Sequence, residues 1–188
     1  MVDDPQLRSP AVAARSTVLH AAQARALRMI DEGAPLRDIL SRLATTVETL
    51  SEGRSVASIL LLDREGLLRN GASPNLSADY LDAIDRLKPD ADVGTCAAAA
   101  ATGEVVMTPD FHADRRWAEL RHRPLALGFR GAWSMPIKAP EGKVLGTFGT
   151  YFRQSRLPTA EEVAVVRQLA GIAALAIGAR TAAAAPIG

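Results

Sequence analysis

This chain is poor in the residues that most often disclose a function. Among 188 residues there are one cysteine, three histidines, two tryptophans, two tyrosines and four phenylalanines. A lone cysteine cannot close an intramolecular disulfide, which removes the cystine-stapled secreted class. The 22 basic and 21 acidic residues are interspersed and leave a net charge of +1. No field of one sign is there to attract a polyanion, so nucleic acid is not expected as a partner. No uninterrupted apolar run approaches the ~20 residues of a membrane-spanning helix. The start, Met1-Val2-Asp3-Asp4-Pro5, is acidic and polar where a secretory signal would be basic and then apolar. The expectation is a cytoplasmic protein with no membrane partner. Tight metal-binding spacings such as C-x-x-C or H-x-x-x-H are also missing.

What is present suits one sizeable core, since 48% of the residues are hydrophobic. Pro5, Pro10 and small or charged neighbours make residues 1–15 a flexible N-terminus, with order from about Ser16. Val18, Leu19, Ala22, Ala26, Met29 and Ile30 recur at helical spacing, and Gly33 and Pro35 stop that helix. Leu36, Ile39, Leu40, Leu43, Val47 and Leu50 form a second stripe, with Arg37, Asp38, Arg42 and Glu48 off it.

The short apolar run Ile59-Leu60-Leu61-Leu62 reads as a buried strand that returns through Leu67–Ala72. Ser77 reads as a helix cap before Tyr80, Leu81, Ile84 and Leu87. Gly94-Thr95 opens a short helix through Ala101, a brief strand covers 105–107, and one or two helical turns broken by Pro124 lie between Asp114 and Leu127. Strands at 130–138 and 143–152 are joined by Ala139-Pro140-Glu141-Gly142. Thr159 and Glu162 form a capping box for a last helix with two apolar stripes. Those stripes are Val163, Val166, Ala170, Ala173, Ile177 and Val165, Leu169, Ile172, Ala176. The second needs either the N-terminal helices or another subunit. The expected fold is α+β, a central antiparallel sheet of about five strands flanked by helices, with N- and C-terminal helices forming a bundle. A single domain spans 16–180, and 181–188 is a flexible tail.

The stretch from Gly94 to Phe152 carries the functional signal. It holds Gly94-Thr95-Cys96, Gly103-Glu104-Val105-Val106, Asp110, Asp114 with Trp117, Gly128-Phe129-Arg130-Gly131-Ala132-Trp133-Ser134-Met135-Pro136-Ile137, and Gly142-Lys143-Val144-Leu145-Gly146-Thr147-Phe148. In joint spacing these motifs resemble the GAF domain, a sensory module of many bacterial signalling proteins. The resemblance spans roughly Leu36 to Arg180 and implies a GAF/PAS-like architecture and reversible sensing of a small molecule. It names no ligand and no cofactor.

The candidate ligand-binding residues are Thr95, Cys96, Asp110, Trp117, Trp133, Ser134, Thr147 and Tyr151. Cys96 reads either as a small buried apolar side chain or as a reactive thiol at a helix start. Ala97 follows it, where chromophore-bearing GAF domains have histidine, and a second cysteine for a methionine sulfoxide reductase is missing. Cys96, Asp110, His112 and Asp114 are the candidates for holding a metal, and the bland alternative is a polar loop. In the family pattern the aspartate matching Asp110 braces the pocket loop. On 130–138, Trp133, Met135 and Ile137 alternate with Ala132, Ser134 and Pro136, and either set could line a cavity. Thr147, Gly149 and Tyr151 share a face of the next strand, where small or hydroxyl side chains leave room. The run Arg115-Arg116, Arg121-His122-Arg123 either steers an anionic ligand or forms a solvated face.

Three functions fit: a ligand-sensing domain that signals to a separate effector, a Cys96-dependent redox sensor or reductase, and a dimerisation module with a vestigial pocket. The first is preferred over the Cys96 enzyme, which stays open, with a homodimer through the terminal helices.

Overall fold

The computed structural model describes residues 10–184. Its elements run α1 (Pro10–Asp31), α2 (Leu36–Leu50), β1 (Ser55–Leu62), β2 (Leu68–Ala72), α3 (Ala78–Ala83), α4 (Cys96–Thr102), β3 (Val106–Thr108), a 3₁₀ turn (Arg115–Trp117), α5 (His122–Ala126), β4 (Gly131–Lys138), β5 (Val144–Phe152) and α6 (Ala160–Ala184). The five strands form one antiparallel sheet in the order β2-β1-β5-β4-β3. Helices α1, α2 and α6 cover one face, and α4 lies on the other. This is the expected α+β architecture.

Alternation along the strands sorts side chains between the faces. Trp133, Met135 and Ile137 of β4 and Phe148 and Phe152 of β5 join Ile39, Leu43, Leu169 and Ala173 in the core under the terminal helices. Ala132 and Tyr151, one position out of step, join Tyr80, Phe111, Trp117 and Phe129 on the opposite face. Both stripes of α6 are used within one chain. Val166, Ala170 and Ala173 are buried, and so are Leu169, Ile172 and Ala176, because α1 and α2 supply the second surface. A second subunit is therefore not needed to cover the second stripe. Residues 160–180 of α6 are long and apolar enough, by length and composition alone, to cross a membrane, which the sequence reading missed; here the helix packs its apolar faces on the sheet and on α1 and α2.

Polar contacts fix the bundle. The capping box forms: Thr159 Oγ1 accepts from the Glu162 amide at 3.1 Å, and Glu162 accepts from the Thr159 amide at 2.8 Å. Arg156 grips the same carboxylate through two bonds of 2.7 Å and lies 3.6 Å from the centre of the Phe152 ring. Gln23 donates to Gln168 at 2.8 Å, Arg15 pairs with Glu161 at 3.1 Å, and Arg180 donates to the Gly33 and Ala34 carbonyls. These bonds tie α6 to α1 and the α1–α2 turn.

Five local expectations change. α1 begins at Pro10, six positions before Ser16, and α6 runs on to Ala184; residues 1–9 and 185–188 lie outside the described residues. The helix after Ser77 ends at Ala83, short of Leu87. Pro124 does not break a helix but sits in the first turn of α5, where its missing N–H has no intrahelical partner to lose. Glu48, placed off the α2 stripe, is buried. Its carboxylate accepts from the Ala57 amide at 2.9 Å and from Asn75 Nδ2 at 2.5 Å, which ties α2 to β1 and the loop after β2.

Partial burial pushes the Glu162 carboxyl up, but Arg156 and the Thr159 amide outweigh it and hold the group below the ordinary 4.5. A carboxylate depressed in the folded state contributes stability above its unfolded pKa and loses it as pH falls through the folded one. Urea unfolding midpoints should therefore drop on acidification below about pH 4.5, and Glu162→Gln should flatten part of that drop. Equal acid sensitivity in wild type and variant would contradict the assignment.

Candidate functional site

On the sheet face opposite the terminal helices, α4 lies close to β4 and β5 because the residues it turns inward are small. Ala97, Ala98, Ala99 and Ala100 are all buried. The closest approach is at Gly149, where a Cβ would stand 3.0 Å from Cys96 Sγ and 3.5 Å from Ser134 Oγ. The room that Gly149 leaves is thus filled by the thiol. Cys96 Sγ and Ser134 Oγ are hydrogen-bonded at 3.1 Å. Burial pushes the Cys96 thiol pKa up, and the Ser134, Thr147 and Thr95 hydroxyls only partly oppose that rise. A redox role would need an accessible, easily ionised thiol. Cys96 is buried and stays protonated, so its first role is packing.

Beside α4 a narrow cavity of about 20 Å³ is lined by Leu60, Tyr80, Ile84, Leu87, Gly94, Thr95, Cys96, Trp117, Leu120, Arg123 and Tyr151. Its roof consists of α3, the loop after it, the 3₁₀ turn and α5. Gly94 has φ +53°, a conformation that favours glycine, and its backbone amide donates to the Arg116 carbonyl at 2.8 Å. That bond joins the roof loop to the 3₁₀ turn. Phe111 and Trp117 pack with ring centres 4.3 Å apart, and Arg123 Nη1 donates to the Ala83 carbonyl at 2.9 Å, clipping α5 to α3.

The polar groups in this apolar chamber are few. The Tyr80 hydroxyl donates to that of Tyr151 at 3.1 Å, with the rings edge-on at 88°. Burial raises the pKa of both phenols well above the ordinary 10.0, so both stay neutral. Trp117 Nε1 and Arg123 Nε are buried and have no hydrogen-bond partner among the described residues. Thr147, outside the cavity lining, lies against the thiol and helps to hold its pKa down. Two strong donors in an apolar cavity call for an acceptor.

The structure thus gathers four of the candidate residues, Thr95, Cys96, Trp117 and Tyr151, around one cavity, with Ser134 and Thr147 against Cys96. It separates the others. Trp133 is on the opposite sheet face, in the core under α2 and α6. Asp110 lies in the loop after β3, where its Oδ1 accepts from the His112 amide at 2.8 Å. Asp114 is held by Arg116 and by the Thr108 hydroxyl at 2.5 Å; burial raises its pKa, and these partners more than offset that, leaving it lowered. His112 is exposed, far in role from buried Cys96, and among the described residues no group of three or more His, Cys, Asp or Glu side chains could hold a metal ion. Sequence reasoning missed Tyr80, Arg123, Leu60, Ile84, Leu87 and Leu120. Tyr80, Ile84 and Leu87 were visible as an apolar stripe, and Arg123 as part of a basic run.

A five-stranded antiparallel sheet with a helical bundle on one face and a roofed cavity on the other defines the architectural class, an α+β domain. The GAF domain family model matches residues 33–178, and the chain belongs to the GAF domain family. A methyl sulfide methyltransferase-associated sensor from Methanosarcina acetivorans is 34% identical over 156 residues, which is 82% of this chain and 16% of that protein. The chain thus spans a small part of the relative's length. Among solved structures, the GAF domain of a phosphoenolpyruvate-protein phosphotransferase from Coxiella burnetii is similar with a TM-score of 0.71 at 20% identity, covering 94% of this chain and 100% of that one. Free methionine-R-sulfoxide reductase from Neisseria meningitidis gives 0.70 at 17% identity, with coverage of 94% and 95%. The structural likeness is of fold. Family and sensor-named relative together support a sensory signalling domain.

Two outcomes check this site. Native Cys96 should resist alkylation at pH 8 and react at the ordinary thiol rate once unfolded, measured by intact mass; rapid native labelling would return it to the reactive class. Gly149→Ala should cost about 1–3 kcal/mol by overpacking, and Cys96→Ala in the same chain should recover part of that. A double-mutant cycle with no coupling would contradict the contact.

Proposed function

We propose that this domain senses a small molecule that binds between the sheet and α4, beneath the roof of α3 and α5. The observation that carries this reading is the pair of unpartnered buried donors, Trp117 Nε1 and Arg123 Nε, in an otherwise apolar cavity. Such a lining suits a ligand with an apolar body and a hydrogen-bond-accepting, anionic end, of which a small carboxylate is the simplest example. Thr95 and Tyr151 would flank it, with Cys96 as floor.

Size adds a mechanism. Small-molecule sites usually measure ~300–1,000 Å³, against about 20 Å³ here. Binding must therefore displace part of the roof, whose helices α3 and α5 are only six and five residues long. A closed resting form that a ligand opens is a two-state element, and differential affinity for the open state sets the response. Output would pass through the terminal helices to a separate effector. A homodimer through α1 and α6 fits this route, since Val18 and Leu27 of α1 and Leu175 of α6 remain exposed. A cytoplasmic location belongs to the same proposal.

Calorimetry with benzoate, phenylacetate and hexanoate, each against its neutral amide, tests the reading. The carboxylates should bind better than the amides, and Arg123→Ala should weaken them roughly 10–100-fold, the usual worth of a charged hydrogen bond. Asp110→Asn should leave affinity unchanged. Binding indifferent to both the charge and Arg123 would refute this ligand class.

A further inference from the structure

The sheet face under the terminal helices holds a second cavity, separate from the sensory pocket. It is also about 20 Å³, and its lining includes Ser55, Trp133, Thr150, Glu162, Val166 and Arg15. Three of these are polar, almost fully buried and without a partner among the described residues: Ser55 Oγ, Trp133 Nε1 and Thr150 Oγ1. Ser55 and Thr150 are 2% exposed and Trp133 1%. Their closeness follows from register. Trp133 pairs with Thr150 across β4 and β5, while Ser55 pairs with Phe152, two positions along β5 on the same face. The ends of α2 and α6 close over them through Val47, Leu50, Val165 and Val166.

A buried polar group left without a partner is destabilising, and native structures seldom leave one so. We propose that this cavity is an internal hydration site, its ligand being water held by Trp133 Nε1, Thr150 Oγ1 and Ser55 Oγ. Size and charge both select water. A water needs ~10–15 Å³ and makes about three hydrogen bonds, which matches the space and the number of unpartnered groups; an organic acid needs several times the volume. The charged groups at the rim are already engaged, Glu162 by Arg156 and Thr159, and Arg15 by Glu161. Trp133 Nε1 can only donate, and the two hydroxyls can do either, so one small donor–acceptor molecule serves all three.

The site is a wet joint between the sheet and the start of α6. Close-packed apolar contacts resist small shifts, whereas a bridging water re-forms its bonds after them. Thr150 lies between Gly149 and Tyr151, which face the sensory pocket. In the signalling role, which rests on the pocket reading above, a shift of β5 on ligand binding reaches α6 through this joint.

The test concerns the joint alone, so it fails or succeeds apart from the pocket reading. A high-resolution crystal structure should show ordered water bonded to Trp133 Nε1. The double variant Ser55→Ala, Thr150→Val keeps the shape but removes two of the water's partners, and should lower Tm by about 3–6 °C. If the groups were dry, removing their hydroxyls would relieve buried polar atoms and raise Tm. An unchanged or raised Tm, a site without water density, or density for an organic molecule overturns the proposal.

Discussion

The structure depends on one strand being buried on both faces. β5 is the middle of five strands, and its alternation sends Phe148, Thr150 and Phe152 toward the helical bundle while Thr147, Gly149 and Tyr151 face α4 and its cavity. Neither set can shift alone, since neighbouring residues of a strand point to opposite faces of one rigid ribbon. Gly149 sharpens the constraint. A side chain there would strike Cys96, so the absence of one fixes how closely α4 sits and hence the depth of the cavity beside it.

From that strand outward the two faces differ in firmness. The bundle face is held by a continuous apolar core and by bonds between α6 and α1, including Gln23 to Gln168 and Arg180 to the α1–α2 turn. The cavity face is roofed by a six-residue helix, a five-residue helix and a 3₁₀ turn, joined by single bonds such as Arg123 to Ala83. Local opening free energy follows packing, so the roof is the part expected to yield. A sensor needs such a division, with a yielding site to admit the ligand and a firm element to carry the consequence.

Much of this was legible in the residues, and the reasons for the rest are specific. The α2 stripe delimited Leu36–Leu50, and Thr159 with Glu162 announced the start of α6, because both signals are local. Glu48 was misplaced because its partners are Ala57 and Asn75, nine and 27 positions away, and helical periodicity carries no word of them. Trp133 and Ser134 were placed on opposite strand faces, yet sequence alone could not say which face meets α6 and which meets α4. Arg123 was hidden for a related reason. In a run with Arg121 and His122 it reads as one more solvated charge, and only the fold of α5 against α3 buries its Nε. The two apolar stripes of α6 called for either the N-terminal helices or another subunit, and α1 and α2 supply the second surface within the chain, which periodicity alone could not decide.

The two tryptophans report one face each, Trp117 in the cavity beneath α3 and α5 and Trp133 beneath α6. The most direct measurement is therefore a ¹⁵N-resolved proton spectrum of the two indole N–H groups during titration with small carboxylates. The Trp117 resonance should move saturably toward the hydrogen-bonded range as a ligand accepts from Nε1, with a smaller accompanying shift of Trp133 through β5. Saturable binding that leaves Trp117 unmoved, or that moves Trp133 alone, would contradict a ligand site between the sheet and α4.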